Sequence, residues 1–310
     1  MSDAPIRGMW CATLTPLAAQ GGVDHARSAA HIRRLFTQGV DGVAPFGTTG
    51  EGQSFSVDER TGALEALLAS GIPAARIVAG TGCAALPDAV ALTRHAVRSG
   101  VPRCLVLPSF FYKGLSDDAV YGYFAKLIDT VADSRLRVYL YHIPQQSAVP
   151  VSPDVVARLA ASYPTIIAGV KDSSGDWDNT ARLLERAPKL SILTGNESHL
   201  PRLLPAGGAG TICGVANVFP RVVAALLEPN VTSEAEARIK AFIDIKARYP
   251  FLPAFKTILA EQVGDEGWRA VRVPQLALSE PQRIALLEQL HSAGFLAARE
   301  TNTDNLATQR

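Results

Sequence analysis

Lys171 closes the run Ile166-Ile167-Ala168-Gly169-Val170-Lys171-Asp172-Ser173-Ser174-Gly175, where a wholly apolar stretch turns polar and glycine-bearing. A surface lysine on a strand alternates with other polar residues; this one lies where a fully buried strand would release it from its carboxyl end. An ammonium held in such a pocket is driven to lose its proton, and the neutral amine can attack a carbonyl to form a Schiff base. On position alone, an ion pair with Asp172 at a strand end is the simpler reading. Gly47-Thr48-Thr49-Gly50-Glu51 sets two hydroxyls between glycines, so backbone can approach a ligand closely and consecutive amides can hold a carboxylate. A tight turn leading into the next helix is an equal reading of those five residues. Tyr141-His142-Ile143-Pro144 offers a hydroxyl that both donates and accepts, suited to a proton relay, beside a histidine that invites a general-base role.

The elements that must position these groups are short apolar runs alternating with longer helix-patterned ones. The strand candidates are Met9–Leu14, Gly42–Phe46, Arg76–Ala79, Cys104–Leu107, Val138–Tyr141, Ile166–Val170, Ser191–Leu193 and Gly210–Cys213. Helical patterns lie between them at His25–Gln38, Val57–Ala69, Asp88–Ser99, Asp117–Ala132, Pro153–Ser162 and Asn179–Glu185. Strands separated by helices must run parallel. Eight such units before about residue 230 predict an α/β fold, a (β/α)8 TIM barrel with appended C-terminal helices. The competing doubly wound sheet lacks a G-x-G-x-x-G after the first strand. The expected organisation is a catalytic barrel over residues 1–230, a helical layer over 231–298 (Ser233–Tyr249, Phe255–Val263, Glu280–Ala293) and a frayed tail over 299–310.

In such a barrel the chemistry gathers at the carboxyl ends of the strands. Alternation sends Tyr141 and His142 to opposite faces, and Tyr141 is the one assigned to the barrel mouth. The loop after strand four, Pro108-Ser109-Phe110-Phe111-Tyr112-Lys113-Gly114, carries an aromatic cluster of a kind usual in packing or subunit contact. Strand seven ends in Gly195-Asn196-Glu197, and strand eight runs into Gly214-Val215-Ala216-Asn217.

Composition narrows the classes of function. Of 310 residues 47% are hydrophobic and 19% charged, and the net charge of +1 shows no block of one sign, so no nucleic acid or membrane surface is an expected partner. Cys11, Cys83, Cys104 and Cys213 stand singly and the six histidines lack ligand spacing, so no metal and no cofactor is expected. The opening residues, Met1 to Pro5, lack a signal-peptide pattern and no apolar run approaches a membrane span, which predicts a cytoplasmic protein.

In order and spacing, Gly47-Thr48-Thr49-Gly50-Glu51, Tyr141-x-x-Pro144, Gly169-Val170-Lys171-Asp172 and the glycine-rich eighth strand resemble the dihydrodipicolinate synthase/N-acetylneuraminate lyase family, from Gly8 to about Leu296. The resemblance implies a class I aldolase or related lyase, commonly a homotetramer built as a dimer of tight dimers. It implies that Lys171 forms the Schiff base with pyruvate or another 2-oxo acid, that Tyr141 and Thr48 relay protons, and that Tyr112 reaches across the tight dimer to complete the relay. Thr49 matches the carboxylate cradle and Ile212 a backbone contact to the 2-oxo acid. The expected substrate-binding set is Gly47, Thr49, Gln146, Gly195 and Ile212.

Two departures bear on substrate. Gln146 stands where the synthase that makes dihydrodipicolinate has an arginine for the carboxylate of its aldehyde, and an amide supplies neither charge nor forked geometry. After strand seven, Asn196-Glu197-Ser198 has one acid where sialic acid lyases have adjacent acids for sugar hydroxyls. The expected substrate is therefore a short 4-hydroxy- or 3-deoxy-2-oxo acid. Condensation of pyruvate with aspartate semialdehyde is the alternative, and a metal-dependent aldolase or a non-catalytic 2-oxo acid binder are alternatives of other kinds.

Overall fold

A computed structural model describes residues 5–297 of the chain. Its strands are β1 (Gly8–Cys11), β2 (Gly42–Val43), β3 (Ala79–Gly80), β4 (Arg103–Val106), β5 (Arg137–His142), β6 (Ile167–Asp172), β7 (Ser191–Thr194) and β8 (Gly210–Cys213). They form one parallel sheet in the order β2-β1-β8-β7-β6-β5-β4-β3. The two ends of that order meet. A parallel bridge joins Val43 to Ile77, just before β3, and the Val78 N–H donates to the Val43 carbonyl at 2.9 Å. Eight parallel strands closed in a ring and linked through helical connections make a (β/α)8 barrel.

Alternation along each strand creates two cores. Inward side chains, among them Trp10, Val78, Leu105, Tyr139, Tyr141 and Ile212, fill the barrel. Outward ones, such as Val138, Leu140, Val170 and Ile192, pack beneath the helices. Helices Ser233–Lys246, Phe251–Val263 and Glu280–Ser292 follow the barrel. An aromatic cluster ties them to it, with Phe219 and Phe242 at 5.0 Å and Phe242 and Phe255 at 5.9 Å between ring centroids.

Strand edges differ from the sequence expectation for backbone reasons. β2 stops at Val43 rather than Phe46, because Pro45 has no N–H to donate and Phe46 turns to φ 58°. β1 leaves the ladder after Cys11, although Ala12 to Leu14 stay buried; the Leu14 N–H is met by the Asn217 side chain instead. β3 lies at Ala79–Gly80, since Ala74–Arg76 forms a 3-10 turn. β6 extends through Lys171 and Asp172, which pair with Leu193 and Thr194, because ladder bonds ignore whether a side chain is charged. The helix expected from Phe255 begins at Phe251: Pro253 falls in the first turn, where its missing N–H had no partner to lose. Expectations placed on residues 1–4 and 298–310 lie outside the described residues.

Candidate active site

Lys171 sits near the carboxyl end of β6, only 4% exposed. Its register partner on β5 is Tyr141, and the lysine Nζ lies 4.3 Å from the centre of the tyrosine ring. Such a contact holds an ammonium against the negative ring face without ion-pairing it. The simple pairing with Asp172 is not formed. Asp172 points to the opposite face, where its carboxylate accepts from the Ser174 N–H and hydroxyl (2.9 and 2.7 Å), the Asn179 amide (2.9 Å) and the Thr180 hydroxyl (2.8 Å). Asp172 thus caps the segment leading into helix Trp177–Arg186 and leaves Lys171 to the interior.

The Tyr141 hydroxyl meets the Thr48 hydroxyl at 3.2 Å. Lys171, Tyr141 and Thr48 therefore form a continuous line of amine, ring and hydroxyls across the barrel mouth. His142 faces outward; its Nδ1 accepts the Val151 N–H at 3.0 Å, and burial holds the imidazole below its usual pKa. Thr49 is buried beside the end of β8, where Gly214 would bring a Cβ to 3.3 Å from its Oγ1. Ile212 lies in the barrel interior, fully buried. At Gly195 a Cβ would fall 1.9 Å from Ser173 Oγ and 3.2 Å from Lys171 Cε, so the glycine leaves room for both side chains. At Gly47 such a Cβ would meet, beyond the adjoining residues, none of the described residues within 4 Å.

Beside Thr48 opens a cavity of about 290 Å³, lined by Glu51, Gln53, Ile143, Gln146, Phe251 and Gln275 among others. Among the described residues no lysine or arginine lines it. Gln146 sits there on the short helix Pro144–Ser147, which Lys113 ties to the loop after β4 through the Ser147 carbonyl at 3.0 Å. Of the three aromatics in that loop, Phe110 lines the cavity. Phe111 and Tyr112 lie edge to face on the surface, 71% and 69% exposed, so a single chain does not bring Tyr112 to Lys171. Arg202 stacks on Trp177 at 4.1 Å and does not line the cavity. Glu197 is buried, turned to the Val215 N–H at 3.4 Å, and its carboxyl is pushed up by desolvation.

The sequence reading assigned no role to Lys256. Its amine lies 2.5 Å from Glu51, and both side chains are essentially unexposed. The available signal was a lone charge inside the otherwise apolar run Phe255–Ala260, broken only by Thr257. Among the described residues no group of three or more His, Cys, Asp or Glu is arranged to hold a metal ion, and no helix is long and apolar enough to cross a membrane.

A family model described as the dihydrodipicolinate synthetase family matches residues 5–293. An uncharacterised DapA-like lyase of Chloroflexus aurantiacus is 38% identical over 286 residues, 90% of this chain and 94% of that protein. A 4-hydroxy-tetrahydrodipicolinate synthase of Methanothrix thermoacetophila is 30% identical over 250 residues, 78% of this chain and 82% of that one. The crystal structure of dihydrodipicolinate synthase from Agrobacterium tumefaciens superposes with a TM-score of 0.86 at 34% identity, covering 92% of this chain and 99% of that chain.

Proposed function

The chain belongs to the dihydrodipicolinate synthetase family, and on that footing we propose that it is a class I carbon–carbon lyase acting through a lysine Schiff base on pyruvate or a related 2-oxo acid. The observation that carries the reading is the line from the buried Lys171 amine across Tyr141 to the Thr48 hydroxyl. The neutral amine adds to the ketone carbon, and the carbinolamine loses water with a proton passed from Tyr141 to the departing oxygen. The resulting iminium draws electrons from the adjacent carbon. In the cleavage direction Tyr141 takes the proton of the 4-hydroxyl, the C3–C4 bond breaks, its electron pair enters the enamine and an aldehyde leaves. Protonation of the enamine and hydrolysis release pyruvate and free the amine. Amide and hydroxyl donors at Thr48 and Thr49, with backbone at Gly47, Gly195 and Ile212, hold the substrate carboxylate in the water-poor end of the barrel. Tyr112 completes the relay from a neighbouring subunit of a homotetramer.

The cavity beside Thr48 supports a finer reading of substrate. With no cation in its lining and Gln146 at its rim, it suits an aldehyde fragment without a carboxylate, bearing hydroxyls that carboxamides can meet. The favoured substrates are short 4-hydroxy- or 3-deoxy-2-oxo acids. The second reading, condensation of pyruvate with aspartate semialdehyde, is favoured by the names of the synthase relatives. A side-by-side assay of pyruvate release from the 2-oxo acids and of the synthase condensation, with Lys171→Ala as control, separates the two. Cleavage should exceed condensation, and Gln146→Arg should raise condensation by roughly 10- to 150-fold, the scale of one charged bidentate contact. Efficient condensation by the unmodified enzyme would return the assignment to the synthase.

A further inference from the structure

The turn that carries Thr48 is anchored by groups the reaction above does not use. Glu51 adopts φ 55°, a left-handed conformation uncommon outside glycine, and its N–H donates to the Thr48 carbonyl at 3.1 Å. One oxygen of its carboxylate meets Lys256 Nζ at 2.5 Å; the other accepts the Arg272 N–H at 3.1 Å. Lys256 also donates to the Ala270 carbonyl at 2.7 Å. The Arg272 guanidinium donates to the Ser54 and Gly21 carbonyls at 2.9 and 3.0 Å and forks onto Glu59 at 2.5 and 2.9 Å. The loop from Gly47 to Ser54 is therefore pinned to the C-terminal segment at two points.

A buried ion pair adds little net stability over apolar packing, because desolvating two charges offsets their attraction. Its strength is geometric: one carboxylate with two fixed partners, one on each oxygen, restricts the loop to one position. We propose that the Glu51–Lys256 pair is a positioning device that sets the Thr48 hydroxyl against Tyr141, so that Lys256 of the helix Phe251–Val263 acts on the relay through Glu51, from outside the cavity lining. This rests on the Schiff-base reading and on Thr48 as a member of the relay. Lys256 itself is enclosed by Glu51 and the Ala270 carbonyl and serves as an anchor, with no free amine for a substrate.

The test is the double variant Glu51→Gln/Lys256→Met, which removes both charges and strands neither. It should fold, still yield a borohydride-trapped pyruvate adduct at Lys171, and lose kcat by about 10-fold or more with KM within about threefold. In a Thr48→Val background the same pair of substitutions should cost no further kcat, because the hydroxyl it positions is already gone. Unchanged kcat, or an equal loss in the Thr48→Val background, overturns the proposal. Should the double variant fail to fold, Glu51→Gln is read by the same two criteria. A wild-type enzyme that traps no 2-oxo acid would overturn the lyase reading instead, an outcome distinct from either.

Discussion

Lys171 and Tyr141 are register partners on adjacent parallel strands, and the lysine amine lies 4.3 Å from the centre of the tyrosine ring. Because their neighbours His142 and Asp172 are also register partners, the same alternation that turns the first pair inward turns the second outward. Tyr141→Phe should keep the fold and lower kcat by roughly 10²–10⁴-fold, the scale of a lost acid–base group. His142→Ala should instead lower the unfolding midpoint, since it strands the Val151 N–H, and spare most turnover. Steady-state kinetics and denaturant melts of both variants check the assignment, and the reverse pattern would exchange the two roles.

Gly195 should prove intolerant of the smallest side chain. A Cβ there overlaps Ser173 and comes 3.2 Å from Lys171 Cε, so Gly195→Ala should move Ser173 and shift the lysine side chain by a few tenths of an ångström. Since a misplacement of about 1 Å can cost about 100-fold in rate, a shift of this size should cost up to about 10-fold. Stopped-flow measurement of imine formation with pyruvate should show that loss while circular dichroism stays unchanged.

Tyr112 offers a test of assembly. Its side chain is 69% exposed beside the equally exposed Phe111, a pair of large aromatics with little to cover them in one chain. Mixing Tyr112→Phe with Lys171→Ala should restore part of the activity that each lacks, by forming sites with one intact lysine and one intact tyrosine. Full activity from a dilute monomer would contradict it.

His31 sets an acid limit on stability. Its Nε2 meets the Asn217 Oδ1 at 3.0 Å, an oxygen that also accepts the Leu14 N–H, so the ring is a neutral donor; burial lowers its pKa to about 4. The unfolded chain takes up a proton near pH 6.5 that the fold refuses, so stability is complete above that pH and falls as the pH drops toward 4. The loss reaches roughly 3 kcal/mol. Urea unfolding at pH 7 and pH 4.5, at fixed protein concentration, should show it, and His31→Gln should flatten the difference.

The barrel was legible because its strands are apolar on both faces and its helices carry an apolar stripe, a pattern that survives without knowledge of contacts. Strand ends were less so. β6 runs on through Lys171 and Asp172, where hydropathy says it should stop, because pairing to Leu193 and Thr194 is a backbone matter. Residue type drew attention to Lys171, Tyr141 and Thr48, but their adjacency comes from two paired strands, β5 and β6, and the separate turn that follows β2. The Glu51–Lys256 pairing was not legible: a lone charge in the apolar run Phe255–Ala260 marks Lys256, but only the packing of the last helices on the barrel makes it meet Glu51. Glu197 shows the converse, an acid at a strand end that packing turns away from the mouth.

The central claim is that Lys171 is the covalent nucleophile. Incubation with pyruvate and borohydride, followed by peptide mass mapping, tests it most directly. The account predicts a lactyl-sized mass on the peptide spanning Gly169 to Asp172, abolished in Lys171→Ala and not restored in Lys171→Arg, whose guanidinium stays protonated. A label on Lys113 or Lys256, or no label with any 2-oxo acid, would contradict it.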